Sequence, residues 1–394
     1  MVAVVVAPRA VQAGPPRAGE ETRAIWVVRH ALTTPGRVDK IVDLATQVNA
    51  NTLLVQVRGR GDAYYNSDLA PPAADLEAAP RDFDPLSRIC AKAHAQGLEV
   101  HAWINVYLVW SAGEPPRAAL HVVNAHPDWI SVRSDGRRLA EMVPEEFQEE
   151  KVEGMYLAPG NPDVKRHIRD LVREIVSRYP VDGIHLDYIR YPEPTVGYDV
   201  HTRTQFEREF GVDPMELERP DSEFIDLIGA DRIPDLRSRW IQWKREQITN
   251  LVRDLRHDLD LTGRKIKLTA AVIADQNAAL NRYLQDWPAW MKEGLLDAAV
   301  PMAYSPSTPI VERQIRTAME IPTKRQIWAG IGIYNEGARD AAEKIRRARA
   351  LGVDGIALFS YDALLGRSGY ARSIRSWAWR EPTEPTRMPW REGR

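Results

Sequence analysis

The 394-residue sequence contains almost no cysteine, since Cys90 is its single thiol. One cysteine cannot form an internal disulfide, so the fold is not held together by disulfide bonds within the chain. Cys90 lies in an apolar helical pattern over residues 86–91, which predicts a buried core residue rather than a reactive one.

Excess charge and long apolar runs are also scarce. Lys and Arg number 53 against 55 Asp and Glu, so a net charge of −2 gives no reason to expect binding to nucleic acid or an anionic membrane. Beyond the N-terminal region, no window approaches the ~18 apolar residues of a membrane-spanning helix, and no stable span is predicted. An apolar stretch at residues 2–7 weakly matches a signal peptide. We therefore expect a disordered lead or signal remnant over residues 1–21 and an extracytoplasmic location.

The sequence does contain a regular alternation of short apolar runs and amphipathic helical stretches. The apolar runs are rich in Val, Ile, Leu and Trp, as in strands that are buried on both faces. The eight predicted strands are Ala24–Arg29, Thr52–Arg58, Leu98–Ile104, Val181–Asp187, Lys265–Ile273, Leu296–Met302, Gln326–Ile333 and Gly355–Ser360. The predicted helices are Arg37–Asn49, Pro85–Gln96, Asn161–Arg178, Thr202–Phe210, Arg237–Asp260, Asn277–Glu293, Ile310–Glu320, Gly337–Leu351 and Tyr370–Trp379.

Eight strand–helix repeats predict an α/β fold of the (β/α)8 TIM-barrel class over residues 22–380, followed by a polar tail at 381–394. The competing doubly wound sheet is disfavoured because no Gly-x-Gly-x-x-Gly follows an early strand. Segments that follow a helix are short, whereas the segments 59–84, 107–160 and 190–235, which follow strands, are long. Loops after strands lie at the C-terminal face of a barrel, so we expect a cleft there.

Asp187, at the end of the fourth predicted strand, is the best-placed acid in the chain. Residues two apart in a strand share a face, so His185 and Asp187 point the same way and Asp187 projects into the cleft. Its carboxylate could be a nucleophile, a general base or a stabiliser of an oxocarbenium-like centre. The structural alternative is an ion pair with Arg190. His185 lies one layer deeper, where hydrogen bonding is more expected than catalysis.

The same region carries the motifs of a known family. The stretch Val181–Pro192, VDGIHLDYIRYP, resembles the signature of glycosyl-hydrolase-like family 10. Further blocks follow the family pattern in the same order, namely Arg23–Val27, Leu54–Tyr65, His101–Tyr107, His126–Trp129 and Tyr156–Val164. The resemblance covers roughly residues 22–380. It implies a TIM-barrel glycosidase, usually exported, in a family with members that cleave peptide-free peptidoglycan strands. It also maps Asp187 onto the family's fourth-strand carboxylate and Asn105 onto a third-strand cleft residue.

Two positions depart from related patterns. Tyr188 stands where related members often carry a second acid beside the fourth-strand aspartate. Ile189 stands where the chitinase-type family 18 signature has its proton-donating Glu, so family 18 chemistry is not expected. A carboxylic partner of Asp187 must therefore come from another strand.

Glycosidases normally pair two carboxyl groups, about 5–5.5 Å apart for retention or about 6.5–9.5 Å apart for inversion. Asp275 follows the fifth predicted strand and Asp62 the second, which makes both eligible as the catalytic partner of Asp187. Glu336 and Asp362, after the seventh and eighth strands, are weaker candidates. Each of these acids could equally be a helix N-cap or a solvated loop residue.

Sugar-binding groups are expected at or just after strand ends. The chain has 12 Trp and 13 Tyr, a surplus that suits a cleft in which aromatic faces stack on sugar rings and polar groups bind hydroxyls. The predicted substrate-binding residues are Arg58, Asn105, Tyr107, Trp110, His185, Tyr188, Tyr304 and Tyr334.

Two other functions stay open at this stage. A metal-dependent hydrolase could use His30, His101 and His185 near Asp187, but the first strand has no His-x-His pair and strands five to eight supply no His. A non-catalytic glycan-binding barrel would keep the aromatic residues and Asn105 without a proton donor. We predict a glycoside hydrolase without metal or other cofactor, whose partner is its glycan substrate.

Overall fold

A computed structural model describes residues 19–111 and 113–392, and eight parallel strands close into a barrel within it. The strands, labelled in chain order, are Thr22–Val27 (β1), Thr52–Arg58 (β2), Glu99–Asn105 (β3), Gly183–Asp187 (β4), Lys267–Val272 (β5), Ala298–Ala303 (β6), Gln326–Gly332 (β7) and Gly355–Phe359 (β8). The barrel closes because β1 pairs in parallel with both β2 and β8. The predicted TIM barrel is confirmed. Residues 1–18 of the predicted lead lie outside the described residues.

Helices cover the outside of the barrel. Those that follow the eight strands are Pro35–Gln47, Pro85–His94, Pro162–Arg178, Ile233–Leu261, Gln276–Asn281 with Trp287–Lys292, Thr308–Met319, Ala338–Ala350, and Tyr361–Leu365 with Tyr370–Trp377. Shorter helices in the loops and at the C-terminal end are Val122–Ala125, Pro144–Glu149, Val200–Phe210, Pro214–Glu218, Ser222–Ile228 and Pro389–Glu392. Four 3-10 turns are Arg29–Leu32, Ala74–Leu76, Pro127–Trp129 and Leu139–Glu141. Searched over the same ranges, the helices include none that combines the length and apolar character needed to cross a bilayer.

Helix boundaries follow capping side chains and prolines. Asp84 caps Pro85–His94 by accepting a hydrogen bond from Ser87 N at 2.9 Å, and a proline occupies the first turn, where no N–H partner is needed. The single helix predicted over Asn277–Glu293 is wrong, because the structure has two helices there. The chain turns at Leu284, where φ is 51°, and Pro288 lies in the first turn of the second helix. Cys90 is fully buried, as predicted.

The barrel interior alternates large rings with very small residues. Trp26, Trp103 and Trp328 fill it, and alanines on the neighbouring strands make room for them. Gly330 of β7 allows the closest approach, since an added Cβ would lie 2.6 Å from the carbonyl oxygen of Pro301 and 3.0 Å from the ring of Trp26. Glycine is therefore required beneath the aromatic floor of the C-terminal face.

The C-terminal segment packs across the opposite end of the barrel. The Glu21 N–H donates to the carbonyl oxygen of Glu384 at 2.9 Å, and Met388 is buried in the interior cluster. The indole N–H of Trp390 donates to Asp297 at 2.7 Å. The division of the chain at residue 380 stays a prediction, but the described part of the predicted polar tail packs across this end of the barrel.

Candidate active site

A pocket of about 260 Å³ opens at the C-terminal end of the barrel, where the sequence predicts the cleft. It is lined by Trp26, Val28, Arg29, Gln56, Gly59, Trp103, Asn105, Leu108, Ser111, Asp187, Tyr188, Arg190, Ala271, Met302, Tyr304 and Phe359. Among these described lining residues, Asp187 is the single acid. The pocket therefore surrounds one carboxyl group with aromatic, aliphatic, neutral polar and arginine side chains.

The end of β4 fixes the Asp187 carboxyl group in this pocket. Asp187 is the last residue of the strand and is only 6% exposed. Tyr188 then turns the chain with a φ of 51°, and its backbone N–H donates to Oδ1 of Asp187 at 2.7 Å. The guanidinium of Arg190 lies 3.8 Å from the same oxygen. The carboxyl group thus has both a hydrogen-bond donor and a nearby cation.

Burial has the largest effect on the acidity of Asp187 and raises its pKa to about 6. Arg190, the backbone N–H of Tyr188 and the indole of Trp103 lower this pKa, whereas the negative charge of Glu153 raises it. A carboxyl group with such a pKa keeps a useful protonated fraction near neutral pH. This is the property required of a general acid.

His185 lies beneath the pocket and does not line it. Its Nε2 accepts a hydrogen bond from the indole of Trp26 at 3.0 Å, and its Nδ1 lies 2.9 Å from Oγ1 of Thr269. Burial lowers the pKa of His185 well below its usual value, so the ring is neutral. The structure supports the expected hydrogen-bonding role and does not bring His185 to the position of a substrate contact.

An aromatic wall forms the side of the pocket opposite β4. Tyr304 stacks on Phe359 with ring centroids 5.4 Å apart, and its ring meets that of Trp26 edge-on at 6.2 Å. Tyr334 packs edge-on against Tyr304 and is 51% exposed at the rim. Faces of this kind bind the apolar faces of sugar rings.

Asn105, Tyr188 and Tyr304 are the predicted binding residues that line the pocket, whereas Arg58 and Tyr107 are buried away from it. Gln56 donates to the Asn105 amide oxygen at 3.2 Å, and the amide nitrogen donates to Gly59 O at 2.8 Å. Arg58 is buried behind it and donates to the Asn105 carbonyl oxygen at 2.7 Å. Tyr107 is also fully buried and lines no part of the pocket. Arg58 therefore supports the position of Asn105 from behind.

Trp110 and Asp62 line a second groove, of about 690 Å³, beside the pocket. Its apolar walls include Pro71, Pro72, Leu76, Pro115 and Pro116. Arg60 lies between the two cavities, with its Nε 3.0 Å from Ser111 Oγ and its guanidinium 5.9 Å from the ring centre of Trp110. Arg60 thus contacts a residue of each cavity, Ser111 of the pocket and Trp110 of the groove.

The predicted partner acids do not join Asp187 in the pocket. Asp275 is exposed and caps the helix Gln276–Asn281, accepting a hydrogen bond from Ala278 N at 2.9 Å. Asp62 accepts a hydrogen bond from the backbone N–H of Arg60 at 3.2 Å. Glu336 pairs with the buried Lys344. Their suggested catalytic roles have no geometric support.

The structure also shows pocket residues that are absent from the predicted set. Gln56 and Phe359 lie on the inward faces of β2 and β8, a signal that strand parity could have provided. Glu153, in the long segment after β3, contacts Arg190 over 3.0 Å. Nothing in the local sequence connects Glu153 to β4.

Of the three histidines of the metal-hydrolase alternative, His101 and His185 both lie near Thr269 Oγ1, at 3.5 and 2.9 Å, and His30 does not join them. His30 is exposed and pairs with Asp75 at 3.2 Å, while His101 is buried in the barrel 3.6 Å from Glu99. Residues 19–111 and 113–392 contain no group of three or more His, Cys, Asp or Glu side chains arranged to hold a metal ion.

Comparison with known proteins identifies the family. The model of the family described as glycosyl hydrolase-like 10 matches residues 21–348. The chain belongs to glycosyl hydrolase-like family 10. Over 333 residues this family member is 25% identical to the glycosyl hydrolase DigH of Escherichia coli, an alignment that covers 76% of the chain and 66% of DigH. The glycosyl hydrolase YngK of Bacillus subtilis is 21% identical over 285 residues, covering 67% of the chain and 48% of YngK. The chain thus spans roughly half to two thirds of the length of these relatives.

The fold of this family 10 member also matches solved glycosidase barrels. The glycoside hydrolase domain of PgaB (BpsB) from Bordetella bronchiseptica superposes with a TM-score of 0.65 at 16% identity, covering 91% of the chain and 99% of that domain. At this identity the likeness establishes the barrel alone. Together, the family and the fold indicate a protein that acts on or binds glycans.

Proposed function

We propose that this family 10 member is a glycoside hydrolase that cleaves a glycan strand bound across the C-terminal face of its barrel. The observation that carries the proposal is the environment of Asp187. This acid is buried beside the aromatic wall, and burial raises its pKa to about 6. Asp187 is the proton donor to the glycosidic oxygen. After the transfer, the Tyr188 N–H and the Arg190 guanidinium stabilise the resulting carboxylate.

A second group must approach the anomeric carbon from the face of the sugar opposite Asp187. The pocket lining does not supply this group. Asp62 and Asp275 both lie outside that lining, so the proposal assigns them no step. A group of the substrate itself fills this role, as in glycosidases that use substrate assistance. It bonds to the anomeric carbon as the glycosidic bond breaks, and the Asp187 carboxylate then takes a proton from the water that displaces it. Asn105, Tyr188 and Tyr304 bind the sugar next to the scissile bond.

The substrate proposed for this site is a long glycan. The pocket is close to the lower limit of small-molecule sites, about 300 Å³, and the adjoining Trp110 groove accommodates further sugar units. The family resemblance makes peptide-free peptidoglycan the leading substrate. Such a substrate agrees with the extracytoplasmic location that we propose from the N-terminal sequence.

The experiment is hydrolysis of purified peptide-free glycan strands, followed by the appearance of new reducing ends. We expect Asp187→Asn to reduce kcat by about 10²-fold or more, because the proton donor is lost. Asp275→Asn is the matched control, since it makes the same change at an exposed helix cap, and it should retain the parent rate.

A non-catalytic glycan-binding barrel is the second candidate, and the single acid in the pocket lining favours it. It predicts that the parent chain binds glycan strands without releasing reducing ends. In that case Asp187→Asn would change affinity alone, and the proposed hydrolase would be excluded for the glycans tested.

A further inference from the structure

We propose that Glu153 is a positioning residue, which acts on Asp187 by holding the Arg190 side chain between them. Glu153 comes from the long segment after β3 and is not among the residues that line the pocket. The inference deepens the proposed function, because it identifies what sets the protonation state of the proposed acid.

The guanidinium of Arg190 contacts both carboxyl groups. Its Nη2 donates to Oε1 of Glu153 at 3.0 Å, whereas its Nη1 stays 3.8 Å from Oδ1 of Asp187, beyond hydrogen-bond distance. Arg190 is almost fully buried, and its Nη1 and Nε have no hydrogen-bond partner. The stronger contact of the cation is therefore with Glu153 and not with the proposed acid.

Aromatic rings hold the guanidinium in this position. It lies 4.3 Å from the ring centre of Tyr188 and 5.4 Å from that of Tyr283. The hydroxyl of Tyr156 donates to the second Glu153 oxygen at 2.8 Å. Both oxygens of Glu153 are thus engaged, and the side chain does not line the pocket. This geometry makes Glu153 a support for Arg190 rather than a second catalytic carboxylate.

The arrangement keeps a buried acid close to a cation without a direct hydrogen bond between them. A direct hydrogen bond from Arg190 would favour the ionised form of Asp187 and deplete the proton that catalysis needs. Two effects of Glu153 oppose this: it binds the guanidinium, and its own charge disfavours ionisation of Asp187. Tyr188 and Tyr304 also face Asp187, and burial raises the pKa of both hydroxyls and keeps them neutral. Arg29 is the further cation in the pocket lining.

Carboxyl NMR of the full chain labelled with ¹³C-aspartate tests the inference without any substrate. The Asp187 signal is assigned by its loss in Asp187→Asn, and its pKa is then compared between variants. In Glu153→Gln the freed Arg190 should pair with Asp187 and lower the pKa of Asp187 by about one pH unit. Arg190→Gln should raise that pKa. Opposite shifts in the two variants distinguish positioning from general disruption of the fold.

Glu150→Gln is the matched control. Glu150 belongs to the same segment, but it pairs with Arg133 and Arg137, so the pKa of Asp187 should stay unchanged. A melting curve verifies that each variant folds, which is expected because the Glu153 side chain is 36% exposed. An unchanged or raised pKa of Asp187 in folded Glu153→Gln would overturn the inference. The titration stands independently of hydrolysis, so it can succeed even where the proposed hydrolase activity fails.

Discussion

The indole N–H of Trp26 donates a hydrogen bond to Nε2 of His185, over 3.0 Å in the interior of the barrel. This contact joins β1 to β4 one layer below Asp187. Trp26 is also part of the pocket floor and meets Tyr304 edge-on. A single buried hydrogen bond therefore connects the strand that carries the proposed acid to the aromatic surface on which we expect the sugar to lie.

Replacing Trp26 with Phe should destabilise the protein by about 2–3 kcal/mol. The substitution leaves Nε2 of the buried His185 without its donor and also removes part of a packed ring. Urea unfolding followed by circular dichroism measures the change. Trp377→Phe is the control, because Trp377 is 50% exposed and should lose far less stability. Equal losses in the two variants would show that the Trp26–His185 contact contributes nothing specific.

Asp187→Asn should stabilise the folded protein at neutral pH. The pKa of Asp187 is about 6 in the folded chain and about 3.9 in an unfolded one, so the folded state binds the proton more tightly. The stability that protonation of Asp187 contributes to the folded state is complete below pH ~4 and is lost as the pH rises to ~6. Asn does not ionise, so the gain in unfolding free energy over the parent should increase across this window to at most about 3 kcal/mol. A pH-independent difference would contradict the raised pKa.

Gly330→Ala should destabilise the barrel by about 1–3 kcal/mol, the usual cost of overpacking. Its Cβ would meet the Pro301 backbone oxygen at 2.6 Å, and backbone cannot move aside as a flexible side chain can. Gly36→Ala is the matched control, since no atom lies within 4 Å of its Cβ and it belongs to the helix Pro35–Gln47. That variant should be neutral or stabilised by up to about 1 kcal/mol. Thermal unfolding of both variants decides.

Trp110→Ala should weaken the binding of long glycan strands more than that of short ones. Trp110 lines the adjoining groove and not the Asp187 pocket, so only chains that reach past Arg60 can contact it. Loss of one stacking contact of about 1–1.5 kcal/mol corresponds to a roughly tenfold rise in KM or Kd for long strands. Isothermal titration with strands of graded length measures this. An equal effect at every length would place the groove outside the substrate path.

Two sequence patterns predict most of the elements that position the site. One is the two-residue repeat of inward-facing side chains along each strand, and the other is the alternation of strands and helices. They place His185 and Asp187 on the inward face of β4 and give eight strands whose bounds differ from the observed ones by only a few residues. The periodicity works here because each strand is buried on both faces, so its apolar run ends where the strand ends. The same two-residue repeat, applied to β2 and β8, predicts that Gln56 and Phe359 also face inward.

Beyond the last residue of a strand, the two-residue repeat no longer predicts which way a side chain points. Tyr107 lies two residues after Asn105 and would share its face in a longer strand, but β3 ends at Asn105 and the Tyr107 ring is buried behind the pocket. Asp275 likewise follows β5. The chain has already turned at this point, so the Asp275 carboxylate caps a helix. Glu153 depends on the path of a long loop, which no local pattern specifies.

The most direct test of the central claim compares the pH dependence of kcat/KM on peptide-free glycan strands with the pKa of Asp187 measured by carboxyl NMR. A proton donor must be protonated, so we predict that kcat/KM falls as the pH rises through about 6 and that Asp187 titrates at the same pH. A rate that stays constant between pH 5 and 8, or an Asp187 carboxyl that titrates near the ordinary value of about 3.9, would contradict the account.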